Sequence, residues 1–417
     1  MSTRFRINLL VAGFILIICI VSSVSAASLV LSWREQPSGD AAFSNLMISR
    51  DGSMVFAGGD QVFVRSWDGD TRWGGMSGAV ATMSTDGNYF VSAINDNVRK
   101  INRTGSEIWN RITGSPFTAV AVSGDGSLVV AADNRGFLRS WKADGKNLAV
   151  NNDTGKVNRI EISPSQDLVV VSSEEGPKMF SPAMKLIWEN DTFGNLDSFL
   201  AFSADSSTLF FSGDNRVLSY TATGSPNWEK EITRDAIADM ACSDDCASIV
   251  LGSKDGNVWV LNKDGQVRWK YPAGSWVTAV GVSRDGSVIV AGTLDRNIYT
   301  LDKDGELLAT TKTNTVIQQQ SVAVSGDGKR IVVTDEHTMY GFELRGIPEG
   351  TPNVTSPPTL ITTPVTVKTT TIPVTTSSPA VTTIPVTTGT PQSPPGPCLA
   401  IVAIAAGAMC LGMKRRT

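Results

Sequence analysis

The sequence predicts an all-β fold, an eight-bladed β-propeller whose ring is closed by the N-terminal strand. Three observations lead to this fold class. An apolar segment that ends in serine recurs eight times, at intervals of 35 to 42 residues. Asp-Gly and related turns divide each interval into short β-branched runs. A period near 40 residues with four short strands per unit is typical of β-propellers. The recurring serines are Ser49, Ser84, Ser123, Ser163, Ser203, Ser243, Ser283 and Ser325.

Each unit is expected to contain four strands, a to d, and the serine ends strand a. A turn, strand b, an acidic loop, strand c and a second turn follow. Four residues after the glycine of that second turn, a tryptophan marks strand d. Because one large aromatic recurs once per unit, we expect it to pack between blades. These residues are Trp73, Trp109, Trp188, Trp228 and Trp269, while Ala149 and Ala309 replace the tryptophan and Met184 replaces one turn glycine.

The number of blades follows from the two ends of the repeat region, residues 27–346. The last unit has strands a, b and c but no strand d after them. The segment Leu29–Glu35 reads as the missing strand, and its Trp33 matches the other tryptophan positions. Pairing it with the last strand c would cover an open sheet edge. We therefore expect eight blades, or seven if the weak fourth unit, residues 163–188, is distorted.

Segments outside the repeats predict export and anchoring. Residues 1–26 read as a signal peptide, with an uncleaved N-terminal anchor as the alternative. Residues 347–397 are rich in Thr and Pro and predict a disordered stalk. Residues 398–413 are apolar and predict a C-terminal transmembrane helix, although sixteen residues rise only ~24 Å against a core of ~30 Å. The basic residues 414–417 suit a cytoplasmic end.

Charge and composition exclude some functions. The net charge of −4 gives no basic field for nucleic acid. The single histidine, His337, excludes a multi-histidine metal site, and we expect it to be an ordinary loop residue. No cofactor is predicted.

An acidic residue follows strand b in every unit, and a propeller places these loops on one face. Two interpretations are open: the acids satisfy backbone groups in turns, or they form a ring that binds a cation or a basic partner. Arg135, Arg216 and Arg296 adjoin some of them and favour the first interpretation. The acids are Asp60, Asp96, Asp133, Glu174 with Glu175, Asp214, Asp255, Asp295 and Asp335.

Covalent features are also predicted. Cys242 and Cys246 lie four residues apart, and in an exported chain we expect them to form a disulfide that locks a turn lacking its glycine. Four Asn-x-Thr sequons are candidates for glycosylation. Their asparagines are Asn102, Asn152, Asn190 and Asn353.

The Gly-x-x-x-Trp pattern after strands such as WVLNKDG resembles the repeat of the pyrroloquinoline-quinone (PQQ)-like propellers. That family includes quinoprotein dehydrogenases and non-enzymatic outer-membrane assembly proteins, and the resemblance implies a tryptophan between neighbouring blades. The enzymes hold Ca²⁺ over the quinone and often carry adjacent cysteines, which this chain lacks. The DGS turns resemble WD40-like repeats, without the Gly-His and Trp-Asp signature. The C-terminal tail resembles those of archaeal cell-surface proteins, with PGP where these have Pro-Gly-Phe.

Together these features predict a non-catalytic interaction module on the outer face of the cell membrane. Its partner is expected to be an envelope protein or a surface polysaccharide, bound through a loop face. Two alternatives are an exported enzyme that uses the propeller mouth, of the PQQ/Ca²⁺ type or another, and a self-associating surface-layer element.

Overall fold

The computed structural model describes residues 27–36, 43–78, 80–191 and 199–346, without the side chains of residues 44, 60 and 76–78. Over these ranges the chain forms β-strands joined by turns and loops, arranged as eight sheets. None of the described residues belongs to a helix that is long and apolar enough to cross a membrane. The predicted signal peptide, stalk and anchor, together with Asn353, lie outside the described residues.

The sheets are the blades, and each is an antiparallel meander that runs from an inner to an outer strand. The first strand in the chain, β1 (Ser28–Glu35), belongs to blade 8. Blades 1 to 4 comprise β2 (Phe43–Ile48), β3 (Met54–Ser66) and β4 (Arg72–Gly78); β5 (Val80–Met83), β6 (Tyr89–Ile94), β7 (Asn97–Asn102) and β8 (Glu107–Ile112); β9 (Phe117–Val122), β10 (Leu128–Asp133), β11 (Leu138–Lys142) and β12 (Asn147–Asn151); and β13 (Val157–Ile162), β14 (Val169–Ser173), β15 (Gly176–Phe180) and β16 (Leu186–Glu189). Blades 5 to 8 comprise β17 (Phe199–Phe202), β18 (Thr208–Gly213), β19 (Arg216–Thr221) and β20 (Pro226–Glu231); β21 (Ile237–Cys242), β22 (Ile249–Ser253), β23 (Asn257–Leu261) and β24 (Val267–Pro272); β25 (Val277–Val282), β26 (Val288–Thr293), β27 (Asn297–Asp302) and β28 (Leu307–Lys312); and β29 (Val322–Val324), β30 (Arg330–Thr334) and β31 (Met339–Arg345), with β1 outermost.

The prediction of eight blades closed by the N-terminal strand is confirmed. Strand β1 pairs with β31 in antiparallel register, from Ser28 opposite Arg345 to Glu35 opposite Met339. The weak fourth unit forms a regular four-stranded sheet, β13 to β16, so the seven-bladed alternative does not apply. Blade 1 differs from the expectation of four separate strands. Its β3 is continuous, and the first half pairs with β2 while the second half pairs with β4.

The recurring serine is the hydrogen-bond centre of the turn between strands a and b. In blade 7, Ser283 Oγ donates to Asp285 and accepts from the Val288 backbone N–H at 3.0 Å. Asp285 in turn accepts from the Ser287 N–H. The eight serines are buried, so each backbone N–H would lose its partner if the hydroxyl were absent. This requirement explains why the serine recurs in every blade.

The tryptophans of strand d join neighbouring blades. In blade 6, the Trp269 indole N–H donates to the Lys303 carbonyl, in the turn before strand d of blade 7, at 2.9 Å. The same turn of blade 7 contains Gly305, and a Cβ there would lie 2.9 Å from the Trp269 indole of blade 6. This close approach explains why the turn carries glycine. The same bond recurs between five pairs: Trp73 with Arg103, Trp109 with Ala143, Trp188 with Ala222, Trp228 with Lys263 and Trp269 with Lys303.

The exceptions to the tryptophan pattern compensate each other. Ala149 lies in blade 3 where the tryptophan is absent, and Met184 lies in blade 4 where the facing glycine is absent. The Met184 side chain is buried in the cluster against which Ala149 packs. Ala309 of blade 7 packs in the cluster that also contains Leu29, because blade 8 takes strand d from β1. Trp33 contacts Trp67 of blade 1 edge-on at 5.5 Å.

Candidate functional site

The two ends of the propeller differ in the segments that form them. At one end, which we call the loop face, the b–c loops meet the loops that lead from strand d into the next strand a. In blade 7, for example, the Leu294 N–H donates to the Trp276 carbonyl at 2.9 Å. At the other end, the turn face, lie the serine-centred a–b turns and the c–d turns that face the tryptophans. Any partner of the channel mouth at the loop face meets residues of the b–c loops first.

A cavity of about 1020 Å³ lies among the inner strands and reaches the loop face. Its wall is formed by residues of strands a from blades 1 to 6 and by Gln319 and Gln320 before β29, together with b–c loop residues such as Asp214 and Lys254. The volume is at the upper end of the range for small-molecule sites, roughly 300–1,000 Å³. The channel is therefore large enough for a ligand rather than only for water.

Blade 4 contributes the most polar part of the cavity wall. Two residues before the marker serine, the other seven inner strands carry Met47, Thr82, Ala121, Ala201, Ala241, Gly281 and Ala323. Strand β13 carries Glu161 at that position and Arg159 two residues earlier. Both side chains line the cavity, because alternate residues of a strand share one side. The only other described charge at the level of Arg159 is Asp239 of β21.

Arg159 is the centre of this polar cluster. Its guanidinium lies over the Phe199 ring, with 4.5 Å between the guanidinium carbon and the ring centroid. With its amide oxygen facing the guanidinium, Gln320 accepts a hydrogen bond from Arg159. The positive charge also acts on Glu161 and Asp239. Arg159 therefore connects the walls contributed by blades 4, 5, 6 and 8.

Glu161 presents a carboxylate to the cavity. The side chain retains exposed surface within the channel, although protein surrounds it. This enclosure raises the pKa of Glu161 to about 7, and the charge of Arg159 acts in the opposite direction. Because the side chain is exposed to the channel, solvation there offsets part of this increase in the pKa of Glu161. Within the described part of the chain, no hydrogen bond or ion pair engages this carboxylate.

Asp239 is enclosed more completely and has fixed partners. It is 5% exposed. Its Oδ1 accepts from the Met240 N–H at 2.9 Å and its Oδ2 accepts from the Val280 N–H at 3.0 Å. Burial raises the pKa of Asp239 to about 7, while the two backbone bonds and Arg159 lower it. Because both oxygens are occupied, Asp239 positions the wall between blades 6 and 7 and offers little to a ligand.

The rim beside the cavity is exposed and partly apolar. Trp276, in the loop before β25, is 48% exposed, and the Lys254 ammonium lies 5.6 Å from its ring centroid. Leu294 is exposed next to it. At the rim of blade 4, Lys156 pairs with Glu174 at 3.1 Å. The rim thus combines an aromatic face with two lysines.

Contacts between blades connect the segments of the turn face. Backbone N–H groups after the marker serine donate to the next blade, as from Asp244 to Arg284 at 2.8 Å and from Gly326 to Arg50 at 2.9 Å. The Arg50 guanidinium of blade 1 also pairs with the Asp244 carboxylate of blade 6 at 2.8 Å. Arg284 binds the same carboxylate. The backbone bonds join neighbouring blades, whereas the Arg50–Asp244 pair joins two blades that are not neighbours. The cavity lining, by contrast, includes residues of the loop face.

The predicted acidic residues satisfy local groups. Asp133 is fully buried and pairs with Arg139 at 2.7 Å and Arg135 at 3.6 Å. Asp335 accepts from the Tyr340 hydroxyl at 2.8 Å and from turn N–H groups. Burial by itself would raise the pKa of both carboxylates, but their hydrogen bonds, with the charge of Arg139 beside Asp133, outweigh it and lower the pKa of each. In the described ranges, no three His, Cys, Asp or Glu side chains are grouped to hold a metal ion.

The remaining acids have similar short-range contacts. Asp255 accepts from the Trp259 indole, Asp295 from Thr293 and Asn297, Glu174 from Lys156 and Glu175 from Lys178. Backbone carbonyls of Asp96 and Asp214 accept from Thr113 and Ile237. The side chain of Asp60 is outside the described residues. Of the three arginines, only Arg135 pairs with the adjacent ring acid; Arg216 pairs with Glu229, and Arg296 donates to the Asn314 carbonyl.

The covalent candidates lie as follows. Cys242 and Cys246 are joined as a disulfide, and Cys246 has a φ of 50° at a turn position that is glycine in five blades and Gln166 or Ser206 in two others. Asn152 is exposed, whereas the Asn102 side chain accepts turn N–H groups and Asn190 donates to the Tyr220 hydroxyl. His337 is a loop residue whose backbone N–H donates to Asp335.

Sequence reasoning missed Arg159, Glu161 and Asp239, although a signal was present. When the eight strands a are aligned on their serines, only NRIEI of blade 4 and ADMAC of blade 6 place charges where the other inner strands have uncharged residues. The serine marker gives the number of blades, whereas the depth of the preceding residues in the channel depends on the closed ring.

Comparisons with known proteins agree with the fold. Residues 211–339 match the family model described as the lambda-carrageenase beta-propeller domain. The crystal structure of the C-terminal WD40 domain of Sif2 is similar, with a TM-score of 0.61 and 14% identity over 76% of this chain and 98% of that one. No curated protein matches the sequence.

Two further solved structures are similar. Chaetomium thermophilum Sqt1 bound to the N-terminus of ribosomal protein L10 has a TM-score of 0.61 and 14% identity, over 76% of this chain and 99% of that one. The computationally designed Ika8 protein has a TM-score of 0.59 and 19% identity, over 74% and 98%. At these identities the likeness shows a WD40-like propeller fold.

Proposed function

We propose that this propeller is a non-catalytic interaction module that binds its partner through the loop face, on the outer face of the cell membrane. The observation that carries the proposal is the rim of exposed Trp276 and Leu294 with Lys254, beside a cavity that reaches the same face. Tryptophan is enriched among the residues that contribute most to binding energy, so half-exposed Trp276 beside Leu294 and the cavity is a candidate contact for a partner.

The neighbours support a binding role of this kind. One similar propeller was solved bound to the N-terminus of a ribosomal protein. The family model that matches residues 211–339 is named after a carrageenase, and carrageenan is a polysaccharide. Protein and polysaccharide are the two partner classes that we expect for an envelope protein. The exported location rests on residues 1–26, 347–397 and 398–413 and is part of the proposal.

The proposed role is binding without catalysis. Of the two carboxyls with raised pKa in the cavity, Asp239 has both oxygens bound to backbone N–H groups. General acid–base chemistry requires a group that can exchange its proton with a substrate, and of these two carboxyls only Glu161 meets that requirement, so the enzyme alternative needs a direct test. A thermal-shift measurement with pyrroloquinoline quinone and Ca²⁺ tests the enzyme alternative, because a bound cofactor raises the unfolding temperature. Stabilisation by both would contradict a non-catalytic role.

Cross-linking mass spectrometry on intact cells tests the face and the location together. A membrane-impermeant amine reagent can reach Lys156 and Lys254 at the loop face, and Lys142 and Lys263 at the turn face serve as internal controls. We expect links from the loop-face lysines to one distinct envelope protein, or no links from them if the partner is a glycan. Links confined to copies of this chain would favour the surface-layer alternative. A protein that stays wholly unlabelled would contradict display on the surface.

A further inference from the structure

We propose that the channel cavity is a saccharide-binding site in which Glu161 and Arg159 hydrogen-bond vicinal hydroxyls of a neutral glycan chain. This inference rests on the proposed function and specifies its ligand. It starts from the unengaged carboxylate of Glu161, which β13 directs into a cavity of about 1020 Å³. The Glu161 side chain is exposed to the cavity, so its carboxylate is available to accept hydrogen bonds from a ligand that enters there.

The charges of the wall favour a polyhydroxyl ligand over a charged one. Three cations and three carboxylates line the cavity: Lys156, Arg159, Lys254, Glu161, Asp214 and Asp239. An acidic peptide would be repelled by Glu161. A basic peptide would be repelled by Arg159, whose charge also acts on Glu161. A hydroxyl can donate to Glu161 and accept from Arg159 at the same time, so neither charge opposes it.

Other groups of the cavity wall can also form hydrogen bonds with a polyhydroxyl ligand. The amides of Asn45 and Gln320 and the hydroxyl of Thr82 line the cavity and can both donate and accept. Phe199 and Phe117 add apolar surface between these groups. Sugar rings present hydroxyls at their edges and C–H groups on their faces, and this wall offers partners for both.

The rim extends this surface beyond the cavity. Trp276 exposes an aromatic face beside Lys254, which itself lines the cavity. A chain that enters the channel at the loop face would pass over it. At the turn face, the ion pair of Arg50 with Asp244 lies between blades 1 and 6, so we expect a glycan terminus to bind from the loop face rather than the middle of a polymer.

The repeat itself supplies a variant that should fold. Alanine occupies the Glu161 position in four other blades, at Ala121, Ala201, Ala241 and Ala323, so Glu161→Ala introduces a residue that this fold already uses. Glu161→Gln keeps the size of the side chain and removes only its charge. Glu306→Ala, on an exposed turn-face residue, is the matched control.

The experiment is calorimetric titration of the full chain with short neutral oligosaccharides of glucose, mannose and galactose, a sulfated galactan oligosaccharide, a polyuronate, and acidic and basic peptides. We expect a neutral oligosaccharide to bind. Glu161→Ala should weaken its affinity about 10-fold or more, because charge-assisted hydrogen bonds are the stronger ones. Glu161→Gln should have a smaller effect and Glu306→Ala none.

Four outcomes would overturn the inference. Binding of a peptide alone would identify a protein ligand, and binding of the charged saccharides alone would show that the cations dominate. Equal affinity of the wild type and Glu161→Ala would place the glycan outside the cavity. If no probe binds, the saccharide site is wrong, yet cross-links from the loop-face lysines to a protein partner would still support the proposed function.

Discussion

At the scale of single residues, burial acts in opposite directions on the carboxylates of this propeller. The aspartates of the serine turns accept several hydrogen bonds, and the pKa of Asp125 is lowered to about 2 despite partial burial. Asp239 also accepts two backbone bonds, yet its enclosure outweighs them and raises its pKa to about 7. The difference lies in desolvation, because the turns are at the surface and Asp239 lies within the wall.

The raised pKa of Asp239 predicts a pH dependence of stability. Between its ordinary pKa of 3.8 and the folded value of about 7, the folded state binds more protons than the unfolded state. The free energy of unfolding therefore falls as pH rises across this window and is flat above it, by an amount on the order of a few kcal/mol. Denaturant unfolding of the wild type and of Asp239→Ala at a series of pH values measures this contribution. Alanine occurs at this position in Ala119 and Ala279.

The expected result is a difference in unfolding free energy, wild type minus variant, that declines from about pH 4 to about pH 7. The control is Glu306→Ala, which should shift neither curve. Parallel pH profiles for the wild type and Asp239→Ala would show that Asp239 titrates normally.

The marker serine supports a second prediction at this scale. Ser283→Ala removes the acceptor of the buried Val288 N–H and the donor to Asp285. We expect the free energy of unfolding to fall by about 1–3 kcal/mol, since an unsatisfied buried group loses its full solvation. Denaturant titration provides the measurement, with the exposed Ser106→Ala as the control. A loss as small as that of Ser106→Ala would mean that water replaces the hydroxyl.

At the scale of strands and turns, the repeat can be read from the sequence because its hydrogen bonds are local. Ser283, Asp285 and Val288 lie within six residues of one another, so the turn recurs wherever those residues recur. The inter-blade tryptophan also shows in the sequence, since Trp269 and Gly305 recur with the period of the blades.

The channel site was less predictable for a physical reason. Arg159, Asp239 and Gln320 come from three different blades, and only the closed ring brings them together. The continuous strand β3 was also missed, because a loop at the acidic residue, here Asp60, is expected between strands b and c of every unit. Contacts that form only when the ring closes join residues far apart in the chain, so a single sequence gives little indication of them.

Ala149 of blade 3 and Met184 of blade 4 stand where other blades have a tryptophan and its facing glycine. We therefore predict that substitutions at these two positions are energetically coupled. Ala149→Trp alone should overfill the space that Met184 occupies and lower the free energy of unfolding by about 1–3 kcal/mol. Together with Met184→Gly, it restores the pair seen at Trp269 and Gly305, and the double variant should recover most of that loss. A double-mutant cycle by denaturant unfolding measures the coupling. Additive effects of the two substitutions would show that the sites do not share this space.

At the scale of the whole molecule, the ring is closed by strand pairing and by a charge contact between its ends. Glu35 of β1 pairs with Arg65 of blade 1 at 3.2 Å and with Arg72 at 3.0 Å. The Arg65 side chain is only 5% exposed, whereas that of Arg72 is 55% exposed. Arg65 also lies over the Trp33 ring, with 3.9 Å between the guanidinium carbon and the ring centroid.

This closure predicts unequal effects of two substitutions on the same ion-pair cluster. Glu35→Gln leaves the buried Arg65 without its anion and should lower the free energy of unfolding by about 2–4 kcal/mol. Arg72→Gln removes only an exposed partner and should change it by less than about 1 kcal/mol. Thermal unfolding of both variants provides the comparison. Equal effects would mean that closure depends on strand pairing alone.

The loop face as the binding side is the central claim, and in situ protection from labelling tests it most directly. A membrane-impermeant amine-acylating reagent would be applied to intact cells and to the isolated protein, and the modification of each lysine compared by mass spectrometry. The account predicts that Lys156 and Lys254 are protected on cells, by a protein or by a glycan, while Lys142 and Lys263 are modified equally in both samples. Protection confined to Lys142 and Lys263, or none at any of the four, would contradict it.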